Sequence, residues 1–264
     1  MHKEGLASAA EGVKKGLRKP VIKIDIVSDV VCPWCYIGKR RLEKAMDVAG
    51  DKYTFDVTYH PFELNPGTPL SGLNQRKHLA DKFGGDDRYE SITGHTSGLA
   101  AQEGLVMNFD TQDVLPNTRK AHAIIFAAQS EKKQLAVTEA FFKAYFTHGV
   151  DLSKDENLVD VAVKAGLDRM VAETAIGSPA VLDSISEQEH EMQKMGIRGV
   201  PFYIFNSTYG VSGAQAPETF LKVFDELNVS TEASAGIGID ASAGEDTSAA
   251  PEKSGESCEV DGIC

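Results

Sequence analysis

The sequence has little cysteine, a single tryptophan and no long apolar run among its 264 residues. Four cysteines are too few for a secreted scaffold held together by disulfides. No apolar stretch approaches the ~18 residues that a membrane-spanning helix requires, so we do not expect an integral membrane protein. Lysine and arginine number 27 against 39 acidic residues, giving a net charge of -12, the wrong sign for attracting polyanions. We therefore expect neither nucleic acid nor membrane among the partners.

Both ends of the chain differ in composition from the middle. Residues 1–19 scatter charged residues and lack the roughly 7 to 15 residue apolar core of a secretory signal, which predicts an N-terminal arm and a cytoplasmic protein. Residues 229–264 are rich in alanine, serine, glycine and acidic residues, with too little apolar surface to offset the entropy of ordering. They are predicted to form a disordered acidic tail.

The middle of the chain follows an α/β pattern that a long helical segment interrupts. Alternating apolar residues predict strands over residues 21–27 and 53–59, with a helix over 33–49 between them, the pattern of a parallel sheet. Strand patterns return over 200–205 and 209–212, before a last amphipathic helix. The sequence therefore predicts one α/β domain in two parts, residues 20–65 and 197–228, split by a helical insertion over residues 66–196.

Capping signals predict where some helices of the insertion begin. Ser178 followed by Pro179 is typical of a helix start, and Ser153 with Glu156 has the spacing of a capping box. Asn117 after Pro116 predicts the start of another helix.

Cys32, Pro33, Trp34 and Cys35 lie between the first predicted strand and the helix that follows it. The unpaired backbone N–H groups of a first helical turn stabilise a thiolate, and such motifs reach pKa values of roughly 3.5 to 7 against about 8.5 for free cysteine. We expect Cys32 to be the nucleophile and Cys35, on the same face of the helix, to resolve the mixed disulfide. Trp34 is expected to lie exposed and to offer an apolar surface to a polypeptide.

Two other interpretations of this motif remain open. The two cysteines could form half of a zinc site, but a second pair with suitable spacing is missing, so no metal is expected. They could also be buried packing residues, which the Pro-Trp sequence at a helix start disfavours.

Four segments together resemble the DsbA-like thioredoxin-fold oxidoreductases of the FrnE type, over about residues 21–228. These segments are IVSDVVCPWCYIGKRRLEKA (26–45), PFELNP (61–66), GVPFYIFN (199–206) and VSGAQ (211–215). The resemblance implies a thioredoxin-like fold with a large all-helical insertion. It also implies exchange of dithiols and disulfides on protein substrates, with no cofactor besides a redox-active Cys32–Cys35 disulfide. Glutathione or a thioredoxin system would serve as electron donor or co-substrate.

The same resemblance assigns roles to Val200 and Pro201. Only ~5 to 6% of X-Pro bonds are cis, so the sequence alone favours trans. In thioredoxin-like folds, however, the matching proline is cis and faces the dithiol. The resemblance therefore implies that Pro201 contacts substrate, while the Val200 backbone pairs with an extended polypeptide as an added strand does.

Four further residues are candidates for accessory roles. Asp25 and Asp29 precede the dithiol and could carry a proton to or from Cys35, although a solvated strand position and a turn residue explain them better. Asn117 and His122 lie in PNTRKAH, which also looks like family sequence, and His122 could line the cleft facing Cys32. Helix capping and an ordinary half-buried histidine explain these two equally well.

Cys258 and Cys264 are the remaining cysteines, near the end of the tail. A flexible coil of ~30 residues has a reach of about 30 Å, enough to bring these thiols to Cys32. They could act as an electron relay or a tethered regulator, or they could be two solvated thiols without a partner.

These observations favour a thiol–disulfide oxidoreductase or isomerase acting on protein disulfides. A glutathione-dependent transferase or isomerase on a small molecule is one alternative, since related branches of the superfamily use glutathione and typically lack this dithiol. A redox-switched binding or holdase module is another.

Overall fold

We describe the protein from a computed structural model, which covers residues 19–235 and 258–259. The predicted N-terminal arm, apart from Lys19, and most of the predicted tail lie outside the described residues.

A four-stranded mixed sheet in the order β2-β1-β6-β7 forms the centre of the fold. The strand pair β1–β2 is parallel, whereas β1–β6 and β6–β7 are antiparallel. The described strands are β1 (Val21–Ser28), β2 (Thr54–Pro61), β3 (Leu73–Asn74), β4 (Val114–Leu115), β5 (Gly199–Val200), β6 (Phe202–Phe205), β7 (Tyr209–Ser212) and β8 (Cys258–Glu259).

Helices account for most of the remaining described chain. They are α1 (Pro33–Ala49), α2 (Gln75–Phe83), α3 (Asp86–Gln102), α4 (Arg119–Ala128), α5 (Gln134–Phe142), α6 (Asp155–Lys164), α7 (Arg169–Gly177), α8 (Pro179–Lys194) and α9 (Pro217–Ala235). A π-helical turn, Lys143–Thr147, follows α5. Among the described helices, none is both long and apolar enough to cross a membrane.

The predicted fold class, an α/β fold with a helical insertion, is confirmed. Helices α2 to α8 lie between β2 and β6, and α4, α5 and α8 contact β2. The insertion also holds a small two-stranded ladder, in which β3 pairs with β4. The apolar face of α4 is buried, since Ala121, Ile124, Ile125 and Ala128 are all nearly inaccessible to solvent. The insertion therefore shares one apolar core with the sheet.

The predicted helix starts have mixed outcomes. The Ser178 side chain accepts a hydrogen bond from the Val181 N–H at the start of α8, as predicted. The capping box at Ser153 is wrong: α6 begins at Asp155, because the Ser153 hydroxyl and N–H both donate to the Asp151 carboxylate instead.

The described part of the tail includes regular structure beyond the predicted boundary at residue 229. Helix α9 continues to Ala235, and residues 258–259 form β8. Once its first turns are anchored in the core by Phe220 and Phe224, each added residue completes one more backbone hydrogen bond, so the helix extends past the apolar segment.

Gly38 lets α1 approach the sheet beside the Val200–Pro201 segment. A Cβ at this position would overlap the Tyr203 hydroxyl and would lie 3.2 Å from Pro201 Cγ and 3.3 Å from Ala214 Cα. The Tyr203 ring is fully buried, Pro201 Cγ belongs to a closed ring and Ala214 Cα is a backbone atom, so none of the three can move away easily.

Substituting Gly38→Ala should therefore destabilise the protein by about 1–3 kcal/mol, the usual cost of overpacking a core. Gly98→Ala in α3 is the matched control, because a Cβ there would meet no atom within 4 Å and alanine favours a helix. Urea denaturation of the three proteins measures both effects. Equal stability of the two variants would contradict this account of Gly38.

Candidate active site

The Cys32–Cys35 motif lies where β1 gives way to α1. Cys32 is the N-cap residue of α1 and has an extended backbone conformation, and Pro33 is the first helical residue, as predicted. The Cys32 N–H donates to the Asp29 carbonyl, while the Cys35 and Tyr36 N–H groups donate to the Cys32 carbonyl. The turn between β1 and α1 thus fixes the backbone of Cys32 from both sides.

The Val200–Pro201 segment faces the Cys32 thiol. The Val200–Pro201 peptide bond is cis, as the family resemblance implies. The Cys32 thiol donates to the Val200 carbonyl at a distance of 3.8 Å, although the two residues are 168 positions apart in sequence. The structure therefore brings together the two segments that the sequence analysis singled out.

Burial raises the pKa of the Cys32 thiol well above its ordinary value, which contradicts the predicted low pKa. The side chain of Cys32 is fully buried, and the neighbouring Cys35 thiol and Asp29 carboxylate raise the pKa further. The predicted helix effect is present, because a hydrogen bond from the Cys35 backbone N–H lowers the pKa, but it is smaller than the effect of burial. In this conformation the thiol form of Cys32 is favoured.

Trp34 is buried, so the prediction that it lies exposed is wrong. Only 5% of its surface is accessible to solvent, and it belongs to the continuous apolar core. A large aromatic ring gains more from burial than from lying in water at a helix start.

Asp29 and His122 form the centre of a buried polar cluster next to the dithiol. Asp29 is completely buried, accepts a hydrogen bond from the Leu64 N–H and lies 3.4 Å from the Nε2 atom of His122. Burial alone would lower the pKa of His122, but Asp29, assisted by Glu189 and Glu63, raises it above its ordinary value. Asp29 is therefore more than the turn residue that the sequence suggested. The negative charge of its carboxylate raises the pKa of the Cys32 thiol.

Two members of this cluster, Glu63 and Glu189, were missed in the sequence analysis. Both are at least nine-tenths buried, and Glu189 accepts a hydrogen bond from the Glu63 N–H at 2.6 Å. Arg119 donates to the Glu63 carboxylate at 2.8 Å, which compensates one buried charge. Burial raises the pKa of Glu189 to about 7, and the negative charges of Glu63 and Asp29 contribute. The Glu63 within PFELNP was the one available signal for this cluster.

Asn117 and Asp25 make contacts that explain them without a role in catalysis. Helix α4 begins at Arg119 with Thr118 as its N-cap, so Asn117 is not the predicted cap residue. The side-chain Oδ1 atom of Asn117 accepts a hydrogen bond from the Arg119 N–H. Its side-chain amide donates to the Glu63 carboxylate and to the Thr68 carbonyl, which fixes Asn117 outside the first turn. Asp25 lies 2.8 Å from the Nε2 atom of His60 on the adjacent strand.

The tail contributes to this region through its backbone. Strand β8 pairs antiparallel with β5, and Cys258 lies opposite Val200. Cys264 lies outside the described residues.

A narrow apolar recess of about 50 Å³ opens beside the first turn of α1. Val31 and Pro33 line it on the dithiol side, and Leu64 after β2, with Leu115 and Phe146 of the insertion, lines the other walls. The recess is far smaller than the roughly 300–1,000 Å³ of a typical small-molecule pocket.

A mixed sheet, a helix beginning at a C-x-x-C pair and a cis-proline facing that pair define the thioredoxin-like thiol–disulfide oxidoreductases. A sequence profile of the DSBA-like thioredoxin domain matches residues 23–225. The chain belongs to this DSBA-like family.

Comparison with individual proteins agrees with this assignment. The crystal structure of a probable DsbA oxidoreductase from Streptomyces coelicolor is 32% identical, with a TM-score of 0.72 over 87% of this chain and 99% of that one. An uncharacterized protein of Bacillus subtilis, YwbO, is 24% identical over 78% of this chain and 96% of its own. A 2-hydroxychromene-2-carboxylate isomerase shares the fold at 17% identity, with a TM-score of 0.57 over 81% of this chain and 98% of that one. That the chain belongs to the FrnE type within this family stays a prediction.

The raised pKa of Glu189 predicts a pH-dependent cost to stability. Between pH 4.5 and about 7 the folded protein keeps a proton on Glu189 that the unfolded chain loses, so the free energy of unfolding falls as the pH rises. Glu189→Gln removes the titrating group, so this fall in the free energy of unfolding is absent from the variant. The variant should gain on the order of 2 kcal/mol over the parent between pH 4.5 and 7.5, as urea denaturation at each pH would show.

Glu187→Gln on the same helix is the matched control, because Glu187 is exposed. Its stability relative to the parent should not change over this pH range. A Glu189→Gln variant whose stability difference is also independent of pH would show that this carboxyl does not hold its proton.

Proposed function

We propose that the protein catalyses thiol–disulfide exchange on polypeptide substrates through Cys32 and Cys35. The observation that carries this proposal is the 3.8 Å contact between the Cys32 sulfur and the carbonyl of Val200, next to the cis-proline. An extended substrate that pairs with the backbone of Val200 would hold its own sulfur beside Cys32.

The reaction proceeds in two exchanges. The Cys32 thiolate attacks one sulfur of the substrate disulfide, and the other substrate sulfur leaves as a thiolate and takes up a proton. Cys35 then attacks the Cys32 sulfur, which releases the substrate as a dithiol and leaves a Cys32–Cys35 disulfide. The same steps in reverse oxidise a substrate dithiol.

The acid–base properties of the site suggest when the nucleophile forms. Burial favours the thiol form of Cys32 in the described conformation, so exposure of this sulfur to an incoming substrate must accompany its ionisation. The Cys35 N–H continues to stabilise the thiolate after exposure. The buried Asp29–His122 pair supports a role for these two residues in proton exchange with the dithiol, which would proceed through a water molecule.

Two observations favour a polypeptide over a small molecule as the substrate. The edge of β5 lies outside the central sheet and pairs with the extended strand β8, which supports binding of an extended polypeptide at this edge. The recess beside Pro33 has room for one apolar side chain but not for glutathione and a second small substrate. The presence of both cysteines also favours disulfide exchange over the glutathione-dependent alternative.

We further propose that the protein works in the cytoplasm and draws electrons from a thioredoxin or glutathione system. The cysteines form two close pairs, which suits redox chemistry better than the structural disulfides of exported proteins. The net direction then depends on the potential of Cys32–Cys35 relative to that compartment, where ~30 mV corresponds to about 1.4 kcal/mol.

Reduction of insulin with dithiothreitol as electron donor tests the proposal. The parent should accelerate insulin precipitation, and Cys32→Ser should reduce the rate to the uncatalysed background, because it removes the attacking sulfur. Cys35→Ser should lose turnover as well but accumulate a mixed disulfide between Cys32 and insulin, which non-reducing electrophoresis and mass spectrometry detect.

Ser130→Ala in the exposed turn after α4 is the control and should retain the parent rate. A parent that binds unfolded insulin in a redox-dependent way without reducing it would instead support a holdase. Activity that survives Cys35→Ser and requires glutathione would support the small-molecule alternative.

A further inference from the structure

A buried tyrosine hydroxyl next to the dithiol makes no hydrogen bond to any group that the structure describes. Tyr203 lies on β6, is inaccessible to solvent and packs edge-on against the ring of Phe220, with 4.9 Å between the ring centroids. Its ring is therefore fixed, yet the hydroxyl oxygen is buried without a hydrogen-bond partner among the described residues. Phenylalanine would fill the same space without the cost of an unpaired hydroxyl, so packing alone does not explain a tyrosine here.

The register of the central sheet brings this hydroxyl under α1. Tyr203 pairs with Ile26 of β1, and Ile26 pairs with Tyr59 of β2, so the three side chains form one row on one face of the sheet. Gly38 of α1 covers the Tyr203 end of this row, since a Cβ at Gly38 would overlap the Tyr203 hydroxyl. The hydroxyl therefore reaches the surface of the helix that begins at the dithiol.

The space above Gly38 lies towards Cys35. Gly38 follows Cys35 by three residues, and residues three apart share one face of a helix. Because the Cα–Cβ bonds of a helix tilt towards its N-terminus, the space that a Cβ at Gly38 would fill lies on the Cys35 side of this turn. The Tyr203 hydroxyl fills that space instead, and Pro201 Cγ borders it at 3.2 Å.

The groups around Tyr203 keep its hydroxyl protonated. Burial raises the pKa of this hydroxyl well above its ordinary value, and negative charge on Cys35, Tyr59 or Cys32 raises it further, whereas Arg41 lowers it. These groups belong to α1, to β2 and to the turn before α1. The hydroxyl is thus close enough to both cysteines to respond to their charge, and it remains a hydrogen-bond donor.

We propose that the Tyr203 hydroxyl donates a hydrogen bond to the sulfur of Cys35 when that sulfur becomes a thiolate, and so promotes the second exchange of the reaction. This inference rests on the proposed function and assigns a further residue to it. A hydrogen bond to a charged acceptor is stronger than one to a neutral acceptor. Because the hydroxyl gains its partner only in the step in which Cys35 attacks, it lowers the barrier to that step.

The hydroxyl adds neither atoms nor electrons to the exchange. Cys35 gives up its thiol proton to solvent, and its thiolate attacks the Cys32 sulfur of the mixed disulfide. The Cys32–Cys35 bond forms as the bond between Cys32 and the substrate sulfur breaks, and the substrate sulfur leaves as a thiolate that takes up a proton. Tyr203 keeps its own proton throughout.

Reaction of the reduced, full-length protein with dithiobis(nitrobenzoate) separates the two exchanges. This small aromatic disulfide releases one thionitrobenzoate when Cys32 attacks and a second when Cys35 resolves the adduct, and stopped-flow absorbance follows both. All proteins compared carry Cys258→Ser and Cys264→Ser, so that only the dithiol reacts.

In Tyr203→Phe the first release should keep the parent rate. The second should be about tenfold slower at neutral pH, the effect expected when a hydrogen bond to a charged group is removed. This deficit should shrink as the pH is raised to about 10, because hydroxide then removes the Cys35 proton without help from the tyrosine.

Tyr89→Phe is the matched control. Tyr89 is also almost completely buried, in α3 of the insertion, but its hydroxyl donates to the Gln75 side chain at 3.1 Å. Its removal should lower the urea midpoint of unfolding and leave both release rates unchanged. Tyr203→Phe should show the opposite pattern, with a urea midpoint no lower than that of the parent and a slower second release, because no hydrogen bond of the resting protein is lost.

Several results would overturn the inference. A second release in Tyr203→Phe within about twofold of the parent rate would show that the hydroxyl does not act on Cys35. A deficit of equal size at every pH, or a lowered urea midpoint, would show that the hydroxyl supports the packing of the core and not the ionised sulfur. A parent that releases a single thionitrobenzoate would remove the step that Tyr203 is proposed to promote.

The reagent is not a polypeptide, so this measurement is independent of the insulin assay. Failure of insulin reduction together with two releases from dithiobis(nitrobenzoate) would refute the proposed function, while the comparison of Tyr203→Phe with the parent would still decide the role of the hydroxyl.

Discussion

The contact between the Cys32 sulfur and the Val200 carbonyl depends on most other features of this fold. Cys32 belongs to the first strand–helix turn and Val200 to a segment 168 positions later, so the whole insertion must fold compactly for the two to touch. Pairing of β1 with β6 fixes the position of the Val200–Pro201 segment along β1, and Gly38 lets α1 lie close beside that segment. Each of these features is a condition for the 3.8 Å contact.

A buried group of charges joins the two parts of the fold behind that contact. Asp29 comes from the end of β1, Glu63 from the end of β2, and His122, Arg119 and Glu189 from the insertion. Burying so many ionisable groups is costly unless they are paired, and this cluster meets the requirement with one arginine, one histidine and the raised pKa of Glu189. The insertion thus supplies charge compensation to the active site as well as apolar cover.

The sequence predicts the four strands of the central sheet, α1, the insertion and the redox motif, because each has a local signal such as alternation, helical period or C-x-x-C spacing, whereas the two-residue strands β3, β4 and β8 are too short to give one. The family resemblance added the cis bond before Pro201, which no local pattern indicates. The pKa of Cys32 and the position of Trp34 were wrong for one shared reason: both depend on burial by distant segments. Glu63 and Glu189 escaped notice for the same reason, since a glutamate in a helix or loop is usually solvated and only the fold reveals otherwise.

The order of strands in the sheet has a consequence for how the protein is made. The central strand β1 finds β2 soon after synthesis, but its other neighbour, β6, follows only after the entire insertion has been translated. Until then one edge of an apolar strand stays unpaired on the ribosome, a situation that invites contact with other nascent chains. The seven intervening helices need few long-range contacts to fold, so rapid local folding of the insertion would shorten that exposure.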